Sequence, residues 1–104
     1  MKEIINQKII TKLKKFRILA KQIVQFDKMI LYGSYAYGNP GKDSDIDVAI
    51  IVKTLGKDYL EKSAALFHLV WDIDTRIEPV LLSPAHDKSG FLESIEKRGI
   101  VIPV

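Results

Sequence analysis

Two aspartates one residue apart, Asp45 and Asp47, stand at the mouth of an apolar run in the stretch DSDIDVAII. On a strand, side chains alternate between faces, so both carboxylates project from one side with their Cα atoms roughly 6.5 to 7 Å apart. Like charges held that close beside apolar residues are costly unless a cation lies between them. Hard oxygen ligands suit magnesium or manganese, and magnesium takes one or two protein carboxylates together with substrate phosphates. For the pair alone, a solvated strand entrance completed by Asp43 and Ser44 accounts for the residues equally well.

Eleven residues before Asp45, Ser34 follows Gly33 in the stretch GSYAYG. Bare backbone N–H groups and a hydroxyl in a tight glycine turn can approach a phosphate closely. The spacing matches neither the P-loop nor the dinucleotide fingerprint. Glu78 lies on a later strand-like segment, and neighbouring strands sit about 4.8 Å apart, so it can complete a cluster with Asp45 and Asp47. Three carboxylates suffice for two metal ions about 3.5 to 4 Å apart, the arrangement that activates an attacking oxygen and stabilises a leaving pyrophosphate.

The elements that must position these groups follow from periodicity. Ile5, Ile9, Leu13, Phe16, Ala20 and Ile23 recur at helical steps and predict a long first helix. KMILYGS reads as a buried strand stopped by Gly33, and GNPGK as a breaker. Residues 45–53 form a second strand, with Ile46, Val48, Ile50 and Val52 on one face and Asp45, Asp47, Ala49 and Ile51 on the other. A second helix follows, its core face formed by Leu60, Ala64, Phe67, Val70 and Trp71. Residues 73–82 predict a third strand in which Asp74, Arg76 and Glu78 share a face until Pro79 disturbs it. SGFLESIEKRG gives a short helix ended by Gly99, and IVIPV an extended tail. The chain of 104 residues is then a single domain, residues 1–104, without repeats or linkers.

The absence of cysteine excludes disulfides, thiolate metal sites and cysteine nucleophiles. No segment reads as a signal peptide or membrane span, so the expected setting is cytoplasmic. Sixteen basic residues against 13 acidic ones leave a net charge of +3, much of it in Lys8, Lys12, Lys14, Lys15, Arg17 and Lys21. That cluster reads as the solvated face of the first helix, with a nucleic-acid footprint as the alternative. His68 and His86 have no visible ligand partner. Tyr32, Tyr35 and Tyr37 flank the glycine turn and could stack on a base, and Lys42 could reach a triphosphate.

LYGSYAYGNPGKDSDIDVAIIV resembles the glycine-serine motif and Asp-x-Asp strand of the nucleotidyltransferase superfamily that includes DNA polymerase beta, and RIEPVLL resembles the later strand bearing its third carboxylate. The short chain ending in GFLESIEKRGIVIPV looks most like the minimal nucleotidyltransferases, stand-alone domains often encoded as antitoxins beside HEPN toxins. The resemblance implies an α+β nucleotidyltransferase fold, a mixed three- to four-stranded sheet backed by helices. It implies that Gly33 and Ser34 hold nucleotide phosphates while Asp45, Asp47 and Glu78 bind two Mg2+ ions. Many family members carry an arginine where this chain has Tyr37, and often an aspartate where it has Glu78; Asp74 is the rival third carboxylate. Arg76 is placed to neutralise the cluster or touch a phosphate.

The expected activity is transfer of AMP from ATP to an acceptor hydroxyl, a tyrosine of a HEPN-type toxin. The alternatives are a non-catalytic module that neutralises a partner by contact and a basic nucleic-acid-binding domain. The apolar GIVIPV tail makes a partner chain or homo-oligomer a further expectation.

Overall fold

The structure is a computed structural model that describes residues 7–38, 40, 41, 44–87 and 89–103. Ile5, Lys42 and Asp43 lie outside the described residues. Along the chain run α1 (Gln7–Ala20), β1 (Lys28–Tyr32), α2 (Ser34–Tyr37), β2 (Ile46–Ile51), α3 (Tyr59–Leu69), β3 (Ile77–Leu82), α4 (Phe91–Arg98) and β4 (Ile100–Val101). Short 3-10 turns occupy Val70–Asp72 and Pro84–His86. The strands form one sheet in the order β3-β2-β1-β4. β1 runs antiparallel to β2 and β4, whereas β2 and β3 are parallel, which makes the sheet mixed, as the sequence implied.

β2 is buried on both sides, and its apolar run reflects that. Ile46, Val48 and Ile50 join Met29, Leu31, Ile77 and Leu81 under α1 and α3. On the opposite face Ala49 and Ile51 join Ile30 beneath Leu92 and Ile95 of α4. That second face is only partly covered: Asp47 is half-buried, and Asp45 and Glu78 are exposed. α1 buries Ile9, Leu13, Phe16 and Ala20 at the predicted spacing. Truncating Leu13 or Phe16, both fully buried, to alanine costs about 3 to 5 kcal/mol, much of what holds a domain this small together.

α3 departs from its predicted core face. Of that face Val70 is buried as expected, but Leu60, Phe67 and Trp71 are 77%, 46% and 73% exposed, and Leu66, outside it, is buried. The helix carries two apolar stripes, roughly a third of a turn apart at 3.6 residues per turn. Packing against the sheet uses the stripe containing Tyr59, Leu66, Leu69 and Ile73. β3 also begins later than predicted. Asp74 accepts from the Arg76 backbone N–H at 3.0 Å, and the Ile77 N–H returns to the Asp74 carbonyl at 3.0 Å. The chain therefore turns at residues 74–77, and Asp74 and Arg76 are not strand residues. Pro79 is accommodated because β3 is an edge strand.

The tail is consumed by the sheet: Ile100 and Val101 pair with Leu31 and Ile30, and the buried Ile102 donates its N–H to the Met29 carbonyl at 2.8 Å. Gly99 permits this close approach, since a side chain there would collide with Ile30 and the Ile95 carbonyl. Among the described residues no helix is long and apolar enough to cross a membrane.

Candidate active site

Register brings the three predicted carboxylates together. Asp47 is flanked in the sheet by Tyr32 of β1 and Glu78 of β3, and Asp45 lies two residues earlier on the same face. The Ile46 N–H donates to the Arg76 carbonyl at 2.8 Å, which fixes the start of β2 against the turn leading into β3. Oxygens of Asp45, Asp47 and Glu78 all lie within 4.8 Å of one another.

Gly33 sits directly against this cluster. Its φ of 77° is one that residues with a Cβ rarely adopt, and a Cβ there would collide with the Asp47 carboxylate. The predicted tight turn is a short helical turn, α2, in which the Gly33 carbonyl accepts from the N–H groups of Ala36 and Tyr37, both at 3.0 Å. Gly38, with φ of 84°, closes it. Ser34 is thereby set one residue from the contact between Gly33 and Asp47.

The electrostatics are those of a crowded, partly desolvated anionic cluster. Desolvation, followed by the neighbouring Asp45 charge, raises the Asp47 carboxyl above its ordinary value. Desolvation, then Asp45 and Asp47, raises Glu78. The Tyr32 phenol is pushed up to about 12 by burial and by the charges of Asp47 and Glu78. Among the described residues no cation pairs with any of the three carboxylates. Three converging carboxylates are a donor set that fits a hard divalent cation such as Mg2+.

Asp74 and Arg76 are engaged elsewhere. Arg76 donates Nε to Asp74 Oδ1 at 3.0 Å and Nη2 to Oδ2 at 2.7 Å, and Lys12 Nζ reaches the same Oδ2 at 2.8 Å. Asp74, its side chain only 8% exposed, is held well below the usual carboxylate range, chiefly by the Arg76 hydrogen bonds. Glu78, not Asp74, joins Asp45 and Asp47. Arg76 also donates Nη1 to the Tyr35 hydroxyl at 2.9 Å, tying the turn before β3 to α2.

The three tyrosines all have protein partners. Tyr32 meets Phe91 edge-on at 5.7 Å, Tyr35 takes the Arg76 bond, and Tyr37 lies under the Arg98 guanidinium at 4.2 Å. Sequence reasoning found neither the Tyr35–Arg76 link nor the Arg98 contact. Lys12 and Asp74 lie 62 residues apart, a separation at which no local pattern shows a pairing. The basic cluster of α1 is partly structural: besides Lys12, Lys21 donates to the Phe26 carbonyl at 2.6 Å and covers the Phe26 ring. Lys14 and Lys15 are exposed, as are His68 and His86. A hollow of about 490 Å³ between Phe26, Val52, Leu55 and Tyr59 lies at the opposite end of β2 and holds none of the three carboxylates. Converging oxygens, not concavity, locate the chemistry.

The family model described as "Polymerase beta, Nucleotidyltransferase" matches residues 7–103. The chain belongs to that nucleotidyltransferase family. A Methanocaldococcus jannaschii protein named "Putative protein adenylyltransferase" is 33% identical over 82 residues, 75% of this chain and 80% of that protein. The crystal structure of a "putative nucleotidyltransferase" from Sulfolobus solfataricus matches with a TM-score of 0.61 at 15% identity, over 90% of this chain and 80% of that one, a likeness of fold. In this nucleotidyltransferase, Asp45, Asp47 and Glu78 are the acidic cluster capable of holding metal.

Proposed function

We propose that this nucleotidyltransferase moves AMP from Mg-ATP to a hydroxyl of a protein. The observation that carries the reading is the convergence of Asp45, Asp47 and Glu78 within 4.8 Å beside Gly33. Family membership supports the transfer class, and the name of the M. jannaschii relative supports adenylate and a protein acceptor. Gly33 and Ser34 would face the nucleotide phosphates, and the three carboxylates would hold two Mg2+ ions. Bound there, the metal would neutralise phosphate charge and polarise the α-phosphorus.

The chain's own task is positioning, which dominates phosphoryl-type transfer. The acceptor oxygen forms its bond to the α-phosphorus as the α–β bridging bond breaks and pyrophosphate leaves. The hydroxyl proton passes to a carboxylate oxygen of the cluster. Arg76 holds α2, and with it Ser34, against the turn before β3 through Tyr35.

The acceptor we favour is a tyrosine of a HEPN-type toxin, which would make the chain an antitoxin. This rests on the resemblance of the short chain to minimal nucleotidyltransferases. Protein incubated with its co-expressed partner and Mg-ATP should add one or more adenylate masses to the partner. Asp45→Asn with Asp47→Asn should remove that addition while the thermal melt stays cooperative, and adenylylation that persisted in the folded double variant would sink the mechanism. A contact-only role is the second reading, favoured by the exposed Leu60, Phe67 and Trp71. It predicts partner inhibition that survives the double substitution with no change in partner mass.

A further inference from the structure

We propose that the open edge of β3 docks the acceptor: an extended polypeptide segment lies beside β3, packs apolar side chains on α3, and presents its hydroxyl residue in line with Glu78. The inference rests on the protein-adenylylating reading above and names how that acceptor is held.

β3 is a terminal strand of the sheet. The Arg76 carbonyl accepts from Ile46 and the Leu82 carbonyl from Val52, both at 2.8 Å. In a parallel ladder the residues alternate, so even-numbered residues of β3 bond to β2, and Ile77, Pro79 and Leu81 turn their backbone groups outward. The Ile77 N–H is taken by Asp74, and proline has none. The outer edge therefore offers the carbonyls of residues 77, 79 and 81 and a single outward N–H, on Leu81. A row of acceptors spaced along a strand is matched by the N–H groups of another extended chain.

A groove of about 340 Å³ runs over this edge. Tyr59, Ser63 and Phe67 of α3, four residues apart, form one wall, and Glu78 and Tyr32 lie at the other. Glu78 belongs both to the groove and to the carboxylate cluster, so whatever fills the groove reaches the reacting centre. None of the described residues lining it is basic, which argues against a nucleic-acid backbone as occupant. Beside Phe67, the exposed Leu60 and Trp71 extend the apolar wall outward. Leu60, Phe67 and Trp71 belong to the periodic set that stands out in the sequence, and the core does not use them.

The sheet fixes what the segment must look like. A strand added beside β3 lies about 4.8 Å away, and its residue opposite Glu78 extends the row Tyr32, Asp47, Glu78 by one place. That residue carries the acceptor hydroxyl. Its two neighbours point to the other face, towards Phe67 and Ser63. The preferred acceptor is thus a hydroxyl residue flanked on both sides by apolar residues in an extended stretch.

The test uses the full chain, Mg-ATP and a nine-residue peptide with a central Leu-Tyr-Leu, with adenylylation read by intact mass and Mg-ATP binding read by thermal shift. The wild-type protein should adenylylate the tyrosine. Phe67→Glu should lower the rate at least about tenfold while keeping the Mg-ATP shift, and Phe67→Ser should do so to a smaller extent if the glutamate variant fails to fold. N-methylation of the peptide nitrogens facing β3 should abolish transfer, and methylation of the alternate set should not. Wild-type rates in both folded Phe67 variants, equal tolerance of both methylation patterns, or transfer to an RNA oligonucleotide in place of the peptide would overturn the docking. So would a wild-type protein that binds Mg-ATP and adenylylates its partner but never the peptide. Failure to bind Mg-ATP, with no transfer to partner or peptide, would instead overturn the underlying reading.

Discussion

Asp74 and the trio of Asp45, Asp47 and Glu78 lie on adjoining parts of the chain, yet their charges are treated in opposite ways. Asp74 is wrapped by Arg76 and Lys12, with four hydrogen bonds when the Arg76 backbone N–H is counted, and its carboxyl is lowered. In the trio, desolvation and then neighbouring carboxylates raise Asp47 and Glu78, and among the described residues no ion pair answers the three. A charge supplied with partners holds a turn in place. Charges set together with no ion pair among the described residues are a site that a bound cation can fill. The difference separates a structural carboxylate from a candidate catalytic one more cleanly than sequence position, since Asp74 and Glu78 are only four residues apart.

The largest test of the contrast is activity. Asp45→Asn, Asp47→Asn or Glu78→Gln should each lower adenylate transfer on the order of a thousandfold or more, while Asp74→Asn should keep measurable transfer. Equal losses at Asp74 and Glu78 would erase the distinction. The second test is stability. Asp74→Ala removes the acceptor of four hydrogen bonds and should cost about 2 kcal/mol, roughly a 10 °C fall in melting temperature for a domain of this size, whereas Asp47→Asn should leave the metal-free melt unchanged or a few degrees higher.

A third test uses pH, where the two regions have opposite signs. Carboxyls raised in the folded state favour folding below their unfolded values, near 4, and that contribution is lost as pH rises through the folded values. The lowered Asp74 carboxyl stabilises above its unfolded value, and its contribution is lost as pH falls. Metal-free Asp47→Asn should therefore gain on the wild-type melt as pH rises from about 4 to 7, and Asp74→Asn should lose. Added Mg2+ should raise the wild-type melt at neutral pH and do little once Asp47 and Glu78 are protonated; a metal effect independent of pH would break the assignment. These shifts should be only a few degrees, because water screens partly exposed charges. The smallest effect is expected at Tyr35→Phe, which deletes the acceptor of the Arg76 Nη1 bond and should cost about 1 kcal/mol or less without altering Mg2+ titration. A changed metal affinity there would mean that the two regions are coupled.

How much of this was legible beforehand depends on range. Asp45, Asp47 and the face they share follow from strand alternation, and Gly33 stood out as a glycine before a second strand, so the cluster could be assembled on paper once Glu78 was placed on a neighbouring strand. The reason Gly33 must be glycine, its contact with the Asp47 carboxylate, was not legible, because it depends on how closely β1 and β2 approach. On α3 the periodicity was real but ambiguous: two stripes satisfied the helical spacing, and the stripe through Leu60, Phe67 and Trp71 proved to be the exposed one. The start of β3 was misplaced because an Asp74 side chain bonding its own local backbone competes with extension, and period-2 alternation does not register that competition.

The sequence by itself determined the order of the three longer helices and the main strands, the sharing of one face by Asp45 and Asp47, and the membership of the chain in its family, because these depend on local periodicity and short spacings. Tertiary structure alone decided that Glu78 and not Asp74 meets Asp45 and Asp47, that Arg76 serves Tyr35 and Asp74, that Arg98 covers Tyr37, and which side of α3 faces out. The physical reason is that each of these is a contact between segments distant along the chain, fixed by strand register and helix packing and by no spacing that can be counted along it.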